Sequence, residues 1–274
     1  MSFAFLFAPG HEPRKLEKAL RLGVAVIADW EDGVPPQAKE EARHTTLDLL
    51  QQLPQGIPVY VRLNPATSPY FEDDVKWLTR LPEAIGCVLP RAEDPRTIAR
   101  LGDLGRRVIP LIETPAGLYR ARELAQAHPH VERLALGYLD YLAEIGGRWI
   151  PTGEPLLLAR SWLVLVSRLA SIGAPLDGVY PHLEDLAGLK AEAEMARNLG
   201  FYGKLAVHPH QLPVIEEAFR PSPEEIRWAE EVVRRYREAM EQGKGAIRLE
   251  GQLVDPPVYR KALDILEAGG RGEG

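Results

Sequence analysis

Short apolar runs alternate with amphipathic stretches along most of this chain. Runs at 3–7, 24–29, 58–62, 85–90, 107–112, 133–136, 175–180 and 203–207 have the length and apolar content of buried strands. The stretches at 13–22, 36–52, 72–81, 95–104, 116–127, 154–172, 183–199 and 222–242 repeat apolar residues at helical spacing. Boundary signals agree: Pro13 suits a first turn, Ser222-Pro-Glu-Glu225 reads as a cap followed by proline and acids, and Gly200 suits the position after a helix. Eight strand–helix repeats within about 240 residues have the count and size of a (β/α)8 TIM barrel, an α/β fold, over 1–242. A doubly wound sheet is the alternative, but no Gly-x-Gly-x-x-Gly turn follows any run. Residues 243–274 fall outside the repeat. They read as a C-terminal extension with a short helix to about Ala268 and a disordered end at 269–274, packed either on its own barrel or on a neighbour.

Composition narrows the function classes. The chain has 274 residues, 45% of them hydrophobic and 26% charged, as in an ordinary globular protein. Its net charge of −6 is spread along the sequence, which argues against a nucleic-acid partner. The single cysteine, Cys87, excludes an intrachain disulfide and a cysteine-based metal site, and its apolar surroundings predict a buried structural thiol. No run approaches the roughly 20 apolar residues of a membrane span, so no membrane partner is expected. The apolar start lacks a basic region and reads as a first strand rather than a signal peptide, which makes the cytoplasm the expected location.

In barrels of this kind the chemistry sits at the carboxyl ends of the strands. The polar residues there are Asp29, Glu31 and Asp32, then Arg62 and Asn64, then Arg91, Glu113, Asp140, His182, and finally His208 with His210. Glu113 alone would fit a cap for the helix after Thr114-Pro115, and Asp140 alone would fit a turn. Together, on adjacent strands, they suit a hard cation such as Mg2+, which takes one or two carboxylates and leaves positions for a chelating substrate. Arg62 fits a salt bridge to Asp29, Glu31 or Asp32, and it also fits contact with an anionic substrate. The roles are compatible, because an arginine fixed by acids on one side is a preorganised fork on the other. His208, before a proline, reads as a structural hydrogen-bonding residue rather than a base. Asp255, in Val-Asp-Pro-Pro, reads as a turn aspartate.

Several segments, taken in order, resemble the HpcH/HpaI aldolase/citrate lyase family in its citrate lyase β-subunit-like branch. They are Leu6-Phe-Ala-Pro-Gly10, Ala28-Asp-Trp-Glu-Asp-Gly-Val-Pro35, Val61-Arg-Leu-Asn64, Val88-Leu-Pro-Arg91 and Leu111-Ile-Glu-Thr-Pro115. Gly137-Tyr-Leu-Asp140, Asp177-Gly-Val-Tyr180, Gly203-Lys-Leu-Ala-Val-His-Pro-His-Gln211 and Gly251-Gln-Leu-Val-Asp-Pro-Pro257 continue the series to the tail. The resemblance implies a Mg2+-dependent carbon–carbon lyase acting on a 3-hydroxyacyl thioester of citramalyl-CoA, malyl-CoA or citryl type. It implies Glu113 and Asp140 as metal ligands and Arg62 as the contact to substrate carboxylate and enolate. It further implies that Asp255 enters the active site of a neighbouring subunit, so that 243–274 packs on that neighbour in a homotrimer or larger homo-oligomer. Pro9, Gly10, Lys204 and His208 lie where the family handles the thioester arm, carried by CoA or an acyl-carrier protein. Two departures, Leu139 where the family usually has an acid and Pro181-His182 where it tends to small or hydroxylated residues, point to a retuned substrate fit. A class II pyruvate aldolase acting on free hydroxy-oxo acids, and a citrate lyase β subunit active only within a complex, are the alternatives.

Overall fold

The computed structural model describes residues 2–51 and 56–270. Eight parallel strands, β1 (Ala4–Pro9), β2 (Ala25–Asp29), β3 (Val59–Arg62), β4 (Gly86–Leu89), β5 (Val108–Ile112), β6 (Arg133–Leu136), β7 (Gly173–Asp177) and β8 (Gly203–Ala206), close in sequence order into a barrel. Closure sets Ala4 opposite Lys204 and Leu6 opposite Ala206. Parallel neighbours need long crossovers, which here are helical. They are α1 (Pro13–Leu20), α2 (Lys39–Leu50), α3 (Phe71–Leu78), α4 (Pro95–Asp103), α5 (Pro115–Tyr119) and α6 (Ala121–Ala125). The series continues with α7 (Tyr138–Ile145), α8 (Leu157–Leu169), α9 (Leu186–Leu199) and α10 (Leu212–Phe219).

Side chains alternate faces along each strand, and this sorts them into two cores. Phe5, Ile27, Tyr60, Val88, Ile109, Leu111, Leu176 and Leu205 fill the barrel. Leu6, Val26, Val61, Cys87, Ile112 and Ala206 face the helix layer with Leu16, Leu101 and Leu163. Each fully buried aliphatic side chain contributes about 1.5–3 kcal/mol relative to exposure. Cys87 is the structural thiol the sequence predicts: it is buried, and burial pushes its pKa up to about 12.

The structure departs from the sequence reading in several places. The eighth barrel helix, which follows the last strand, is the short α10, not 222–242. That later stretch forms α11 (Pro223–Glu241), which packs with α12 (Pro256–Ala268) through Ala229, Val232, Val233, Ala262 and Leu266. Two compact units result, residues 2–219 and residues from Arg220 onward, so the division falls before α11 rather than after 242. The C-terminal unit also carries an unpredicted hairpin, β9 (Ile247–Leu249) with β10 (Gln252–Val254), turned by Glu250 and Gly251 at φ 48° and 86°. The stretch 116–127 is interrupted at Arg120, and 36–52 opens with a 3-10 turn at Pro36–Ala38. Its expected last residue, Gln52, and the expected disordered residues 271–274 lie outside the described residues. Among the described residues no helix is long and apolar enough to cross a membrane.

Candidate active site

The alternation that points Ile27, Tyr60 and Leu111 into the barrel carries Asp29, Arg62 and Glu113 to its carboxyl-end mouth. Arg62 donates from Nε and Nη2 to the two oxygens of Asp29, each at 2.8 Å, in a bidentate fork. Asp29 also accepts the N–H groups of Glu31 and Gly33 at 2.9 Å, and a Cβ at Gly33 would stand 2.6 Å from Asp29 Oδ2. Burial alone would raise the Asp29 pKa, but Arg62 and these hydrogen bonds hold it below the usual range. The remaining edge of the guanidinium, Nη1, lies 2.8 Å from Glu31 Oε2 and 3.4 Å from Asp32 Oδ2, while the Phe7 ring sits 4.6 Å from Cζ. Arg62 thus plays the salt-bridge part foreseen from sequence, with Asp29 on one edge and Glu31 and Asp32 on the other.

Glu31 is the most perturbed acid here. Burial pushes it up to about 8 against the pull of Arg62, and Asp32, Glu113 and Asp29 add repulsion. Its Oε2 contacts Arg62 as an ion pair without hydrogen-bond alignment and has no hydrogen-bond partner. Glu113 follows the same logic: burial pushes it up to about 7, opposed chiefly by the Arg91 N–H it accepts at 2.7 Å, with Asp140 raising it further. Arg91 adopts a left-handed φ of 47°, a strained backbone that accompanies this contact, and its guanidinium turns away to Glu144. A Cβ at position 137 would lie 2.6 Å from Glu113 Oε2, so glycine is required for Glu113 to cross the end of β6. Asp140 stands not at a strand end but, exposed, in the first turn of α7.

The acid-rich mouth fits a cation. Among the described residues no group of three or more His, Cys, Asp or Glu side chains is arranged as a metal cage. Instead a buried carboxylate and an exposed one repel each other beside a buried Glu31 oxygen that has an ion pair but no hydrogen bond, an oxygen-only set suited to Mg2+ with retained water or substrate ligands.

The remaining predicted residues divide. Pro9 and His208 border a cavity of about 300 Å3, with Phe7, Lys15, Lys18 and Val207. His208 also caps the turn Pro209–Gln211: its Nδ1 accepts the His210 N–H and its own N–H donates to Gln211 Oε1, which is the structural role read from sequence. Gly10 does not open a cradle. Its N–H donates to Asp29 O at 2.8 Å, and a Cβ would meet Asp29 O at 2.8 Å and Trp30 at 2.9 Å, so the end of β2 fills that space. Lys204 is the clearest correction. It shares the face of Ala206, points outward between barrel and helices, and binds Asp177 and Glu192 at 2.6 Å with no exposure, leaving nothing for a thioester arm. Asp255 is the N-cap of α12, accepting the Val258 N–H at 3.2 Å within the C-terminal unit. Sequence reasoning missed Lys39, whose Nζ donates to Trp30 O, Glu31 O and Asn64 Oδ1 at 2.7–2.8 Å and pins the turn that bears Glu31. A lysine opening an amphipathic helix gave no signal for this.

Residues 4–209 match the family described as HpcH/HpaI aldolase/citrate lyase. The chain belongs to that family. A citrate lyase subunit beta-like protein of Deinococcus radiodurans is 38% identical, with 95% of each chain covered. The mitochondrial citramalyl-CoA lyase of Homo sapiens is 32% identical over 96% of this chain and 84% of its own length. Among solved structures, CitE of Mycobacterium tuberculosis in complex with magnesium, acetoacetate and coenzyme A superposes with a TM-score of 0.83 at 31% identity, covering 98% of both chains. The fold, its (β/α)8 barrel included, is therefore shared with that structure over essentially the whole chain.

Proposed function

We propose that the protein is a Mg2+-dependent carbon–carbon lyase that splits a 3-hydroxyacyl thioester into an acetyl thioester and a 2-oxo acid. The observation that carries this reading is an arginine fixed by Asp29 beside the mutually repelling Glu113 and Asp140 at one barrel mouth. The relatives named as a citramalyl-CoA lyase and as a CitE bound to magnesium and coenzyme A support the same class and favour CoA as carrier. Glu113 and Asp140 would hold the ion, which when bound supplies Lewis acidity to the substrate hydroxyl and its neighbouring carboxylate. Glu31, whose carboxyl burial pushes up to about 8 against the pull of Arg62, takes the hydroxyl proton when it is ionised. The C2–C3 electron pair passes into the thioester enolate as the hydroxyl carbon becomes a carbonyl. Nη1 of Arg62 offsets the charge that develops, a preorganised contribution of about 3 kcal/mol. Asp255 of a neighbouring copy then protonates C2. The cavity beside Pro9 and His208 receives the thioester arm, with Lys15 and Lys18 supplying positive charge.

Trans donation of Asp255 requires a homo-oligomer with the C-terminal unit packed on a neighbour, and the family resemblance points to a trimer or larger. An exposed apolar face supports self-association. Leu158, Trp162, Leu165 and Leu169 form one stripe on α8 at 76, 36, 49 and 56% exposure, and Trp162 bonds to Leu118 O beside Tyr119, 85% exposed. Together they offer roughly 600 Å2, the upper end for a monomer's largest apolar patch.

The test is a stopped assay of the purified chain with (S)-citramalyl-CoA and malyl-CoA, with Mg2+ or EDTA, trapping pyruvate or glyoxylate as hydrazones. Mg2+-dependent release supports a self-sufficient lyase and ranks its substrates. No release from folded, Mg2+-binding protein would instead support a β subunit that works within a complex, the reading favoured by the Deinococcus relative's name.

A further inference from the structure

Four charged side chains are sealed between β7, β8 and the helices α8 and α9. Arg160 grips Asp177 through Nε and Nη2 at 2.9 and 3.0 Å, and Lys204 Nζ bridges Asp177 Oδ2 and Glu192 Oε1, both at 2.6 Å. Arg160 Nη2 also lies 3.3 Å from Glu192 Oε2, and none of the four side chains is more than 1% exposed. Two positive and two negative charges cancel. Burying them costs several kcal/mol per ion before pairing repays it, so an apolar cluster would serve stability as well. Stability alone thus gives the charges no advantage over apolar packing.

Glu192 also reaches beyond the four, and what it holds there is the segment around Asp140. Tyr138, the first residue of α7, donates its Oη to Glu192 Oε1 at 2.8 Å. Trp149, in the loop after α7, donates Nε1 to Glu192 Oε2 at 3.3 Å. The Tyr138 ring is further fixed by Arg160 and Lys204, 5.3 and 5.4 Å from its centroid, and by Gly178, where a Cβ would come within 2.5 Å of the ring. A short helix tied at its first residue and just beyond its end has little freedom to rotate, and Asp140 sits two residues from the first tie.

We infer that the Arg160–Asp177–Lys204–Glu192 cluster is a positioning device for Asp140, acting through Tyr138 and Trp149. This rests on the reading of Asp140 as a Mg2+ ligand. Glu192 and Lys204 touch neither ion nor substrate; they set the direction in which the Asp140 carboxylate is offered. Partners that orient metal ligands are typically worth about 10–100-fold in metal affinity.

Calorimetric Mg2+ titration of the full chain, with thermal melts alongside, tests this in Tyr138→Phe, Trp149→Phe and Asp140→Asn. Both aromatic variants keep their rings and lose one donor, and Lys204 remains on Glu192, so the charges stay paired. Tyr138→Phe and Trp149→Phe should each weaken Mg2+ binding about tenfold, with melting temperatures near wild type. The Mg2+ concentration for half-maximal lyase rate should rise by the same factor, and the maximal rate should return at saturating Mg2+. Unchanged Mg2+ affinity in both aromatic variants, with binding lost in Asp140→Asn, would overturn the inference and leave the cluster purely structural. Unchanged affinity in Asp140→Asn would overturn the metal-ligand reading itself, and the inference with it.

Discussion

Glu113→Gln should make the metal-free protein more stable while abolishing its Mg2+ binding. Burial, with help from Asp140, lifts the Glu113 carboxyl from 4.5 to about 7. Because the folded pKa lies above the unfolded one, the folded chain binds the extra proton between those values, and stability falls as pH rises through them. The contribution is fully present below 4.5 and gone above about 7. At pH 8 the penalty is about 3 kcal/mol, and at pH 5 it is under about 1 kcal/mol. Glutamine stays neutral throughout, and its Oε1 still accepts the Arg91 N–H that Glu113 accepts at 2.7 Å. Melts in EDTA at pH 8 should therefore rise by about 6–12 °C for a unit of this size, and by far less at pH 5. Saturating Mg2+ at pH 8 should raise the melting temperature of the wild type and leave the glutamine variant where it is. A variant that melts at or below wild type at pH 8 in EDTA would refute the reasoning, since the buried carboxylate would then carry no strain for a cation to relieve.

Four further outcomes follow from the same mouth and its surroundings. The ionised fraction of Glu113 falls from about nine tenths at pH 8 to about one tenth at pH 6, so the Mg2+ Kd should weaken about tenfold, and a flat calorimetric profile would deny Glu113 a place in the site. Arg62→Lys cannot reproduce the fork on Asp29 and should lower kcat/KM by about 10²–10³ with Mg2+ affinity retained; loss of Mg2+ binding as well would point to collapse of the mouth instead. Asp255→Ala should suppress turnover with Mg2+ binding intact, and mixed oligomers with Glu113→Gln should regain part of the activity; mixtures as inactive as their parents would argue against donation between subunits. Leu158→Glu combined with Leu165→Glu should shift the assembly toward smaller species in light scattering, whereas an unchanged mass would remove the α8 stripe from the interface.

The barrel was legible because period-2 and period-3.6 patterns alternate cleanly, and strand-end acids stand out against apolar runs. Asp29, Arg62 and Glu113 could be placed at one mouth on those grounds alone. Lys204 could not be placed correctly, because Gly203-Lys-Leu-Ala-Val alternates ambiguously. Only the barrel's closure against Ala4 and Leu6 sets Leu205 inward and Lys204 outward. The eighth helix is masked in the sequence for a similar reason. α10 is short and has Pro213 in its first turn, whereas α11 carries a strong cap and a longer apolar stripe. The pKa values of Glu31 and Glu113 were out of reach, since both arise from burial among residues distant in sequence.

The glycine at 137 also limits how this protein can drift. With 2.6 Å between an added Cβ and Glu113 Oε2, even alanine must displace the carboxylate that lies across it. Position 137 and position 113 are therefore one heritable unit. A lineage that loses the glycine forfeits the present geometry of the acid in the same generation, and one that has abandoned the acid is released from the glycine. Descendants that keep the barrel but have left this chemistry should reveal themselves by a side chain at the tip of β6.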